Sequence, residues 1–205
     1  MRILLLRHAE TAWNRERRFQ GWRDIPLSAT GREQAESAAR LLAASPLEAV
    51  WSSPLSRARE TAQTIAAPHR LAVRESEAFK EMGFGDWEGL TREEVRERFP
   101  DAHRVWAETP HQARWPGAET LEMVRARALA GLADLRRAHD GQTVCLVSHG
   151  ITGRILILEA LGLGLDRLWS LQLSSTGISE LELREDWATL HRMNSLIHLT
   201  DTAIA

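Results

Sequence analysis

The sequence predicts an α/β fold, a three-layer α/β/α sandwich around a mostly parallel sheet with an antiparallel edge strand. Three observations carry that expectation. Short apolar runs alternate with stretches of helical periodicity through most of the chain. No internal repeat, low-complexity tract or long linker interrupts the alternation, so the 205 residues read as one domain, 1–205, long enough to bury a continuous core. Near the C-terminus, two stretches of alternating polarity read as a hairpin on one sheet edge.

The first run, Ile3-Leu4-Leu5-Leu6, is apolar on both faces and predicts a buried strand that ends at Arg7. Thr30 and Glu33 are spaced as a capping box ahead of Ala35, Ala38, Ala39 and Leu42, which predicts a helix over about 31–44. Ser45-Pro46 ends it. After a second strand, Ala49-Val50-Trp51, the pair Ser53-Pro54 predicts an N-cap followed by a proline at the first helical position, with Arg57 in the first turn.

The segment at about 82–117 departs from this alternation, being rich in charge, tryptophan, histidine and proline. It predicts only a short helix over 92–99, capped by Thr91 and Glu94, and reads as a lid-like insertion over a site. Trp106 and Trp115 there either line a pocket or simply pack. Beyond it, Leu121, Val124, Ala128, Leu132 and Leu135 form the core stripe of a long helix over about 119–139. The strand Val144-Cys145-Leu146-Val147 runs into Ser148-His149-Gly150 and an apolar helix through Ile151, Ile155, Leu158 and Leu161. Gly150 thus falls at a helix N-terminus, where free amides and the dipole favour an anion. The hairpin follows, with Leu181 and Leu183 alternating with Glu180 and Glu182, a turn at 184–186 and a second strand over 187–192.

Composition narrows the function. The formal net charge is -2 with acids and bases interleaved, unlike the basic face of a nucleic-acid binder. No apolar stretch reaches the ~20 residues of a membrane span, and no basic leader precedes a hydrophobic segment, so neither membrane insertion nor secretion is expected. Cys145, the single cysteine, lies inside an apolar strand and reads as a small core residue in a reducing cytoplasm. Lys80 is the only lysine among 26 basic residues, tyrosine is absent and tryptophan occurs eight times. Base composition explains that bias, and any mechanism needing a lysine has only Lys80 to use.

Chemistry gathers at strand ends, where open α/β sheets hold ligands. Arg7-His8 follows the first strand, Arg57 the second, and Ser148-His149 the strand at 144–147. Arginine is a permanently charged planar fork suited to phosphate oxygens, and histidine can be neutral and nucleophilic at pH 7. Phosphoryl transfer depends mainly on positioning and positive countercharge, which Arg7, Arg57, His149 and the Gly150 amide could supply. His8 could attack phosphorus if its ring is neutral, a state its arginine neighbours favour, giving a phosphohistidine. An acid that later acts as base is also required, and Glu81, Asp86 and Glu88 are the candidates by position. Arg15, Arg17, Arg18 and Arg23 are either a second anion site or a solvated face. A metal site on His8, His149 and Glu10 or Glu81 lacks supporting ligand spacing, and Arg7 and Arg57 would repel a cation, so no metal or cofactor is expected.

Four motifs in order, Leu6-Arg7-His8-Ala9-Glu10-Thr11, Ser53-Pro54-Leu55-Ser56-Arg57-Ala58, Glu81-Met82-Gly83-Phe84-Gly85-Asp86-Trp87-Glu88-Gly89 and Val147-Ser148-His149-Gly150, resemble the histidine phosphatase superfamily in its phosphoglycerate-mutase-like branch. The resemblance spans nearly the whole chain. It implies His8 as the phosphorylated nucleophile, Arg7, Arg57 and His149 as the phosphate pocket, Glu81 as proton donor, and Asn14, Gln20 and Gly21 beside the phosphate or substrate. Ala9 departs from the commoner glycine and would crowd the nucleophile's backbone by one methyl group.

The mutase members carry a longer insertion with paired arginines and a lysine, and a tyrosine soon after the acid. This chain has no tyrosine, and no Arg-Arg pair between Glu81 and Pro116. It is therefore more similar to the phosphatases, among them broad-specificity, α-ribazole-phosphate and phosphoglycerate-type enzymes. The implied activity is a metal-independent, histidine acid-type phosphomonoesterase acting on small phosphorylated metabolites, monomeric or homodimeric, with no nucleic-acid or membrane partner. Mutase-type transfer, a non-catalytic phospho-ligand scaffold and an enzyme acting on phosphorylated protein side chains are the alternatives. A scaffold would be expected to lose one of the key residues, and the lid favours a small molecule over a protein.

Overall fold

The structure, a computed structural model, describes residues 1–199, so 200–205 of the expected 1–205 domain lie outside the described residues. Among the described residues six strands form one sheet: β1 (Arg2–Arg7), β2 (Ala49–Ser52), β3 (Val73–Glu75), β4 (Thr143–Ser148), β5 (Ile178–Leu183) and β6 (Ala188–Ser195), in the order β3-β2-β4-β1-β5-β6. The first four run parallel, and β5 is antiparallel to both β1 and β6. This is the expected mostly parallel sheet with an antiparallel edge.

Period-two alternation in the two central strands sorts their side chains between two cores. Leu4, Leu6, Cys145 and Val147 face α2 (Ala29–Leu42) and α3 (Ser56–Ala66), whose Ala38, Leu42, Ala62 and Ile65 complete that layer. Ile3, Leu5, Val144 and Leu146 face α6 (Leu121–Ala138) and α7 (Gly150–Ala160), meeting Leu135 and Ile157. Each buried Leu, Ile or Val contributes roughly 1.5–3 kcal/mol. The strand ends that carry the site therefore rise from the best-buried part of the molecule.

Two helix starts differ from expectation. Ser28, not Thr30, caps α2: its hydroxyl accepts from the Gly31 amide at 2.9 Å and donates to Glu10 at 2.8 Å, and that tertiary bond favours the earlier cap. Likewise α3 begins at Ser56, two residues past Pro54. Ser53 accepts from the Leu55 amide in a turn, while the Ser56 amide is taken by Asp24 from a distant loop at 2.7 Å. Arg57 remains in the first turn.

The segment at about 82–117 holds α4 (Arg92–Arg98), with the expected Thr91–Glu94 capping box, and a second helix, α5 (Pro100–Glu108), that the sequence reading missed. Its aromatic residues form a core of their own. Trp87 and Trp115 stack with centroids 3.7 Å apart, and Phe84, Val95 and Trp106 join them against Leu121 of α6 and Ile155 of α7. Where the two ends of this segment meet, Gly85 has φ of 53° and lies against the Gly117 backbone so closely that a side chain would overlap it. No helix among the described residues is long and apolar enough to cross a membrane.

Candidate active site

Adjacent placement of β1, β4 and β2 brings the chain following each of them to the mouth of one cavity of about 710 Å³. Arg7, His8, Arg57 and Glu81 line it, as do Asn14, Gln20, Gly21 and Gly150. His149 does not; it is fully buried beneath, its ring centroid 5.1 Å from that of His8.

His8 is held by its own backbone. Nδ1 lies 2.7 Å from the Ala9 carbonyl oxygen, which can only accept, so Nδ1 carries the proton and Nε2 keeps its lone pair. Burial, then the charges of Arg57 and Arg7, push the His8 pKa well below the ordinary histidine value, against a weaker opposing effect of the Ala9 carbonyl. The Ala9 methyl packs with Leu27 and Ala35 and its amide donates to Thr61 at 3.1 Å, so it fills a small core.

The arginines are oriented by neutral acceptors. Arg57 is fully buried and donates from Nη1 to the Arg23 carbonyl and from Nη2 to the Gly21 carbonyl, both at 2.8 Å. Arg7 donates from Nη1 to the Leu173 carbonyl at 2.9 Å. In both, Nε is buried without a partner. Burial lowers Arg57 to about 10 and lowers Arg7 too, with Glu81 opposing in each case. The Gln20 side-chain oxygen and both His149 ring nitrogens are also buried and unpartnered. Burial first, then Arg57, His8 and Arg7, hold His149 well below its ordinary value. Each unpaired buried polar atom costs about 1–3 kcal/mol, so their concentration in and beneath one cavity marks a place built for a polar guest.

Asn14 closes the capping box of α1 (Ala12–Arg15), its Oδ1 accepting from the Thr11 amide at 2.9 Å and leaving its NH2 group for the cavity. Of the three carboxylates left open by the sequence, only Glu81 lines the cavity. Asp86 is exposed, and Glu88 latches a loop by accepting from the Trp22 and Phe84 amides at 2.9 and 3.1 Å. Glu81 Oε1 accepts from the Met82, Ile151 and Thr152 amides, and Oε2 from Ile151 at 3.2 Å. Its carbonyl is clamped by Trp22 Nε1 at 2.8 Å and Arg127 Nη2 at 3.0 Å.

At the start of α7 the Ile151 and Thr152 amides are engaged by Glu81, and the Gly150 amide has no hydrogen-bond partner among the described residues. Gly150 lies among three groups of the cavity, since a Cβ there would stand at ordinary contact distance from Arg154 Nη1 (3.4 Å), Glu81 Oε2 (3.5 Å) and Arg7 Nε (3.8 Å). The two alternatives left open for the lid tryptophans are divided between them: Trp115 packs on Trp87 and does not reach the cavity, whereas Trp106 lines it. Of the four outer arginines, Arg15, Arg17 and Arg18 line the cavity, Arg15 paired with Glu10 and Arg18 with Glu16 and Glu94, while Arg23 pairs with Glu88 outside the lining. Sequence reasoning missed Arg92, His103, Arg154 and Trp169, which also line it. Only Arg154 left a signal, its i+4 spacing from Gly150 on one helix face. No three His, Cys, Asp or Glu side chains converge as metal ligands among the described residues.

The family model of the histidine phosphatase superfamily, branch 1, matches residues 3–196. A protein of Hydrogenobacter thermophilus named phosphoserine phosphatase 1 is 35% identical over 199 residues, covering 97% of this chain and 94% of its own. The solved structure of YhfR from Bacillus stearothermophilus superposes with a TM-score of 0.91 at 32% identity, over 97% of this chain and 98% of that one. A phosphoserine phosphatase variant of Entamoeba histolytica, in complex with phosphoserine, gives 0.86 at 31% identity, with the same coverage of 97% and 98%.

Proposed function

The chain belongs to the histidine phosphatase superfamily, with phosphatase relatives along its length, and on that premise we propose that it hydrolyses small phosphomonoesters through a phosphohistidine at His8. In the first step the Nε2 lone pair attacks phosphorus, the P–O bond to the leaving group breaks, and the departing oxygen takes a proton from the Glu81 carboxyl group. In the second, water gives its proton to the Glu81 carboxylate and attacks phosphorus, and the P–N bond breaks back to His8. Arg7 and Arg57 carry the charge of the equatorial oxygens, His149 supports them from below, and Asn14, Gln20, Gly21 and Gly150 shape the place of the phosphate. No metal or cofactor takes part. The reading takes a phosphorylated metabolite in the cytoplasm as substrate, acted on by a monomer or homodimer with neither nucleic acid nor membrane as partner.

The observation that carries this reading is the tautomer of His8: a neutral ring, protonated at Nδ1, with a bare Nε2 among buried guanidinium groups. Phosphate release from p-nitrophenyl phosphate in excess chelator, by the native chain and by His8→Ala, tests it. Release by the native chain alone, with an acid-labile phosphoenzyme trapped by rapid quench, is the expected result. Turnover retained in His8→Ala, or lost on chelation, would overturn the mechanism. Phosphoserine, named for two of the relatives, is the first metabolite to assay.

A further inference from the structure

Besides the outer Arg15, Arg17 and Arg18, two guanidinium groups that line the cavity have no task in the mechanism above. Arg154, on α7, donates from Nε to the Leu171 carbonyl at 2.8 Å and from Nη1 to the Gly150 carbonyl at 3.0 Å, and its Cζ stands 5.5 Å from the Trp169 ring centroid. Its Nη2 has no protein partner, and no carboxylate pairs with it among the described residues. Arg92 opens α4 in the lid and lines the same cavity without any side-chain hydrogen bond or ion pair among the described residues. Arg154 is lowered to about 10 by burial and then by Arg7, with Arg92 adding to the repulsion; Arg92 acts on Arg7 in the same direction. Glu81 is the one carboxylate that opposes them there.

A bound phosphate dianion accounts for the charges of Arg7 and Arg57. It leaves the partly buried Arg154 without a counterion, which is costly, and the exposed Arg92 adds a second uncompensated charge at the same opening. The cavity also extends well beyond a phosphate group, to Trp106 of the lid and to Trp169, whose rings meet edge to face with centroids 5.0 Å apart.

We propose that Arg92 and Arg154 form a second anion subsite, so that the substrate is a phosphomonoester whose carbon skeleton carries a further anionic group, a carboxylate or a second phosphate. The proposal rests on the phosphatase reading and names the substrate class of that site.

Phosphoserine and phosphoethanolamine differ only in a carboxylate, and ethylene glycol bisphosphate and monophosphate only in a second phosphate. We expect kcat/KM to favour the doubly anionic member of one pair by about ten-fold or more. Arg92→Gln and Arg154→Gln should each shrink that ratio by about ten-fold, the scale of one lost charge-assisted hydrogen bond. The pair that shows the preference identifies the group. Affinities of the same four compounds for His8→Ala, by calorimetry, repeat the test without turnover, so a failure of the mechanism and a failure of the subsite are told apart. A native protein that treats both members of each pair alike would overturn the proposal. So would a preference left intact in Arg92→Gln, whose exposed position keeps the test independent of any folding defect in Arg154→Gln.

Discussion

Lowering the pH from 7 to 5.5 tests the electrostatics beneath the cavity. His8 and His149 are buried and held well below the ordinary histidine value, each by desolvation first and then by the charge of Arg57. In the unfolded chain both titrate near pH 6.5. A histidine whose folded pKa is depressed binds fewer protons folded than unfolded, so its contribution to stability is complete above about 6.5 and is lost as the pH falls below that value. With both rings still neutral in the folded state, protonation of the unfolded chain between pH 7 and 5.5 removes about 1.3 kcal/mol per histidine, or about 2.5 kcal/mol for the pair. That is a large share of the ~5–15 kcal/mol by which domains are stable.

Urea unfolding of the native chain and of His149→Gln across this range isolates the effect, because carboxylates and the buried His198, also lowered by burial, titrate alike in both and cancel in the difference. The variant should lose about 1.3 kcal/mol less than the native chain over the interval. Identical pH dependence in the two proteins would refute the argument that His149 is neutral in the fold. For the same reason, the acid limb of kcat/KM that belongs to His8 should lie below pH 6.5.

Gly21 holds φ at 52°, its carbonyl orients Arg57, and a side chain there would overlap Glu88 Oε1. Gly21→Ala should therefore cost about 1–2 kcal/mol of backbone strain and up to roughly 1.5–3 kcal/mol for each amide bond that Glu88 gives up, lowering both Tm and kcat; native values of both would show that the loop absorbs the methyl. Glu81→Gln should slow substrates with poor leaving groups by about a hundred-fold or more beyond its effect on p-nitrophenyl phosphate, on the scale of general acid catalysis. Equal losses on both substrates would move the proton donor elsewhere.

What the sequence made legible is what local chemistry alone decides. The strands at 3–6 and 144–147 were readable because helices cover both faces, which forces unbroken apolar runs. Arg7, His8, His149 and Arg57 were readable because they follow those runs and the strand at 49–51. Helix starts were less so: Ser28 is chosen by Glu10 and Ser56 by Asp24, both remote in sequence. α5 was hidden because only Trp106 of its nine residues is buried, too little for a visible stripe. Position could not separate Glu81 from Asp86 and Glu88, since the difference lies in which amides each carboxylate meets across 66 to 71 residues of chain, Ile151 and Thr152 for Glu81 and Trp22 for Glu88.

The way the arginines are held explains how one cavity can be both rigid and strongly positive. Arg15, Arg18 and Arg23 at the periphery are paired with carboxylates, which fix a guanidinium and cancel its charge together. Arg7, Arg57 and Arg154 are held by the carbonyls of Leu173, Arg23, Gly21, Leu171 and Gly150. A carbonyl dipole orients the fork and leaves its net charge for a guest. Exchanging those carbonyls for carboxylates would position the same atoms equally well and remove the field on which transfer of a charged phosphoryl group depends. The cost is visible in the lowered values of all three groups, and the two central cores beneath the strand ends supply the stability that offsets it.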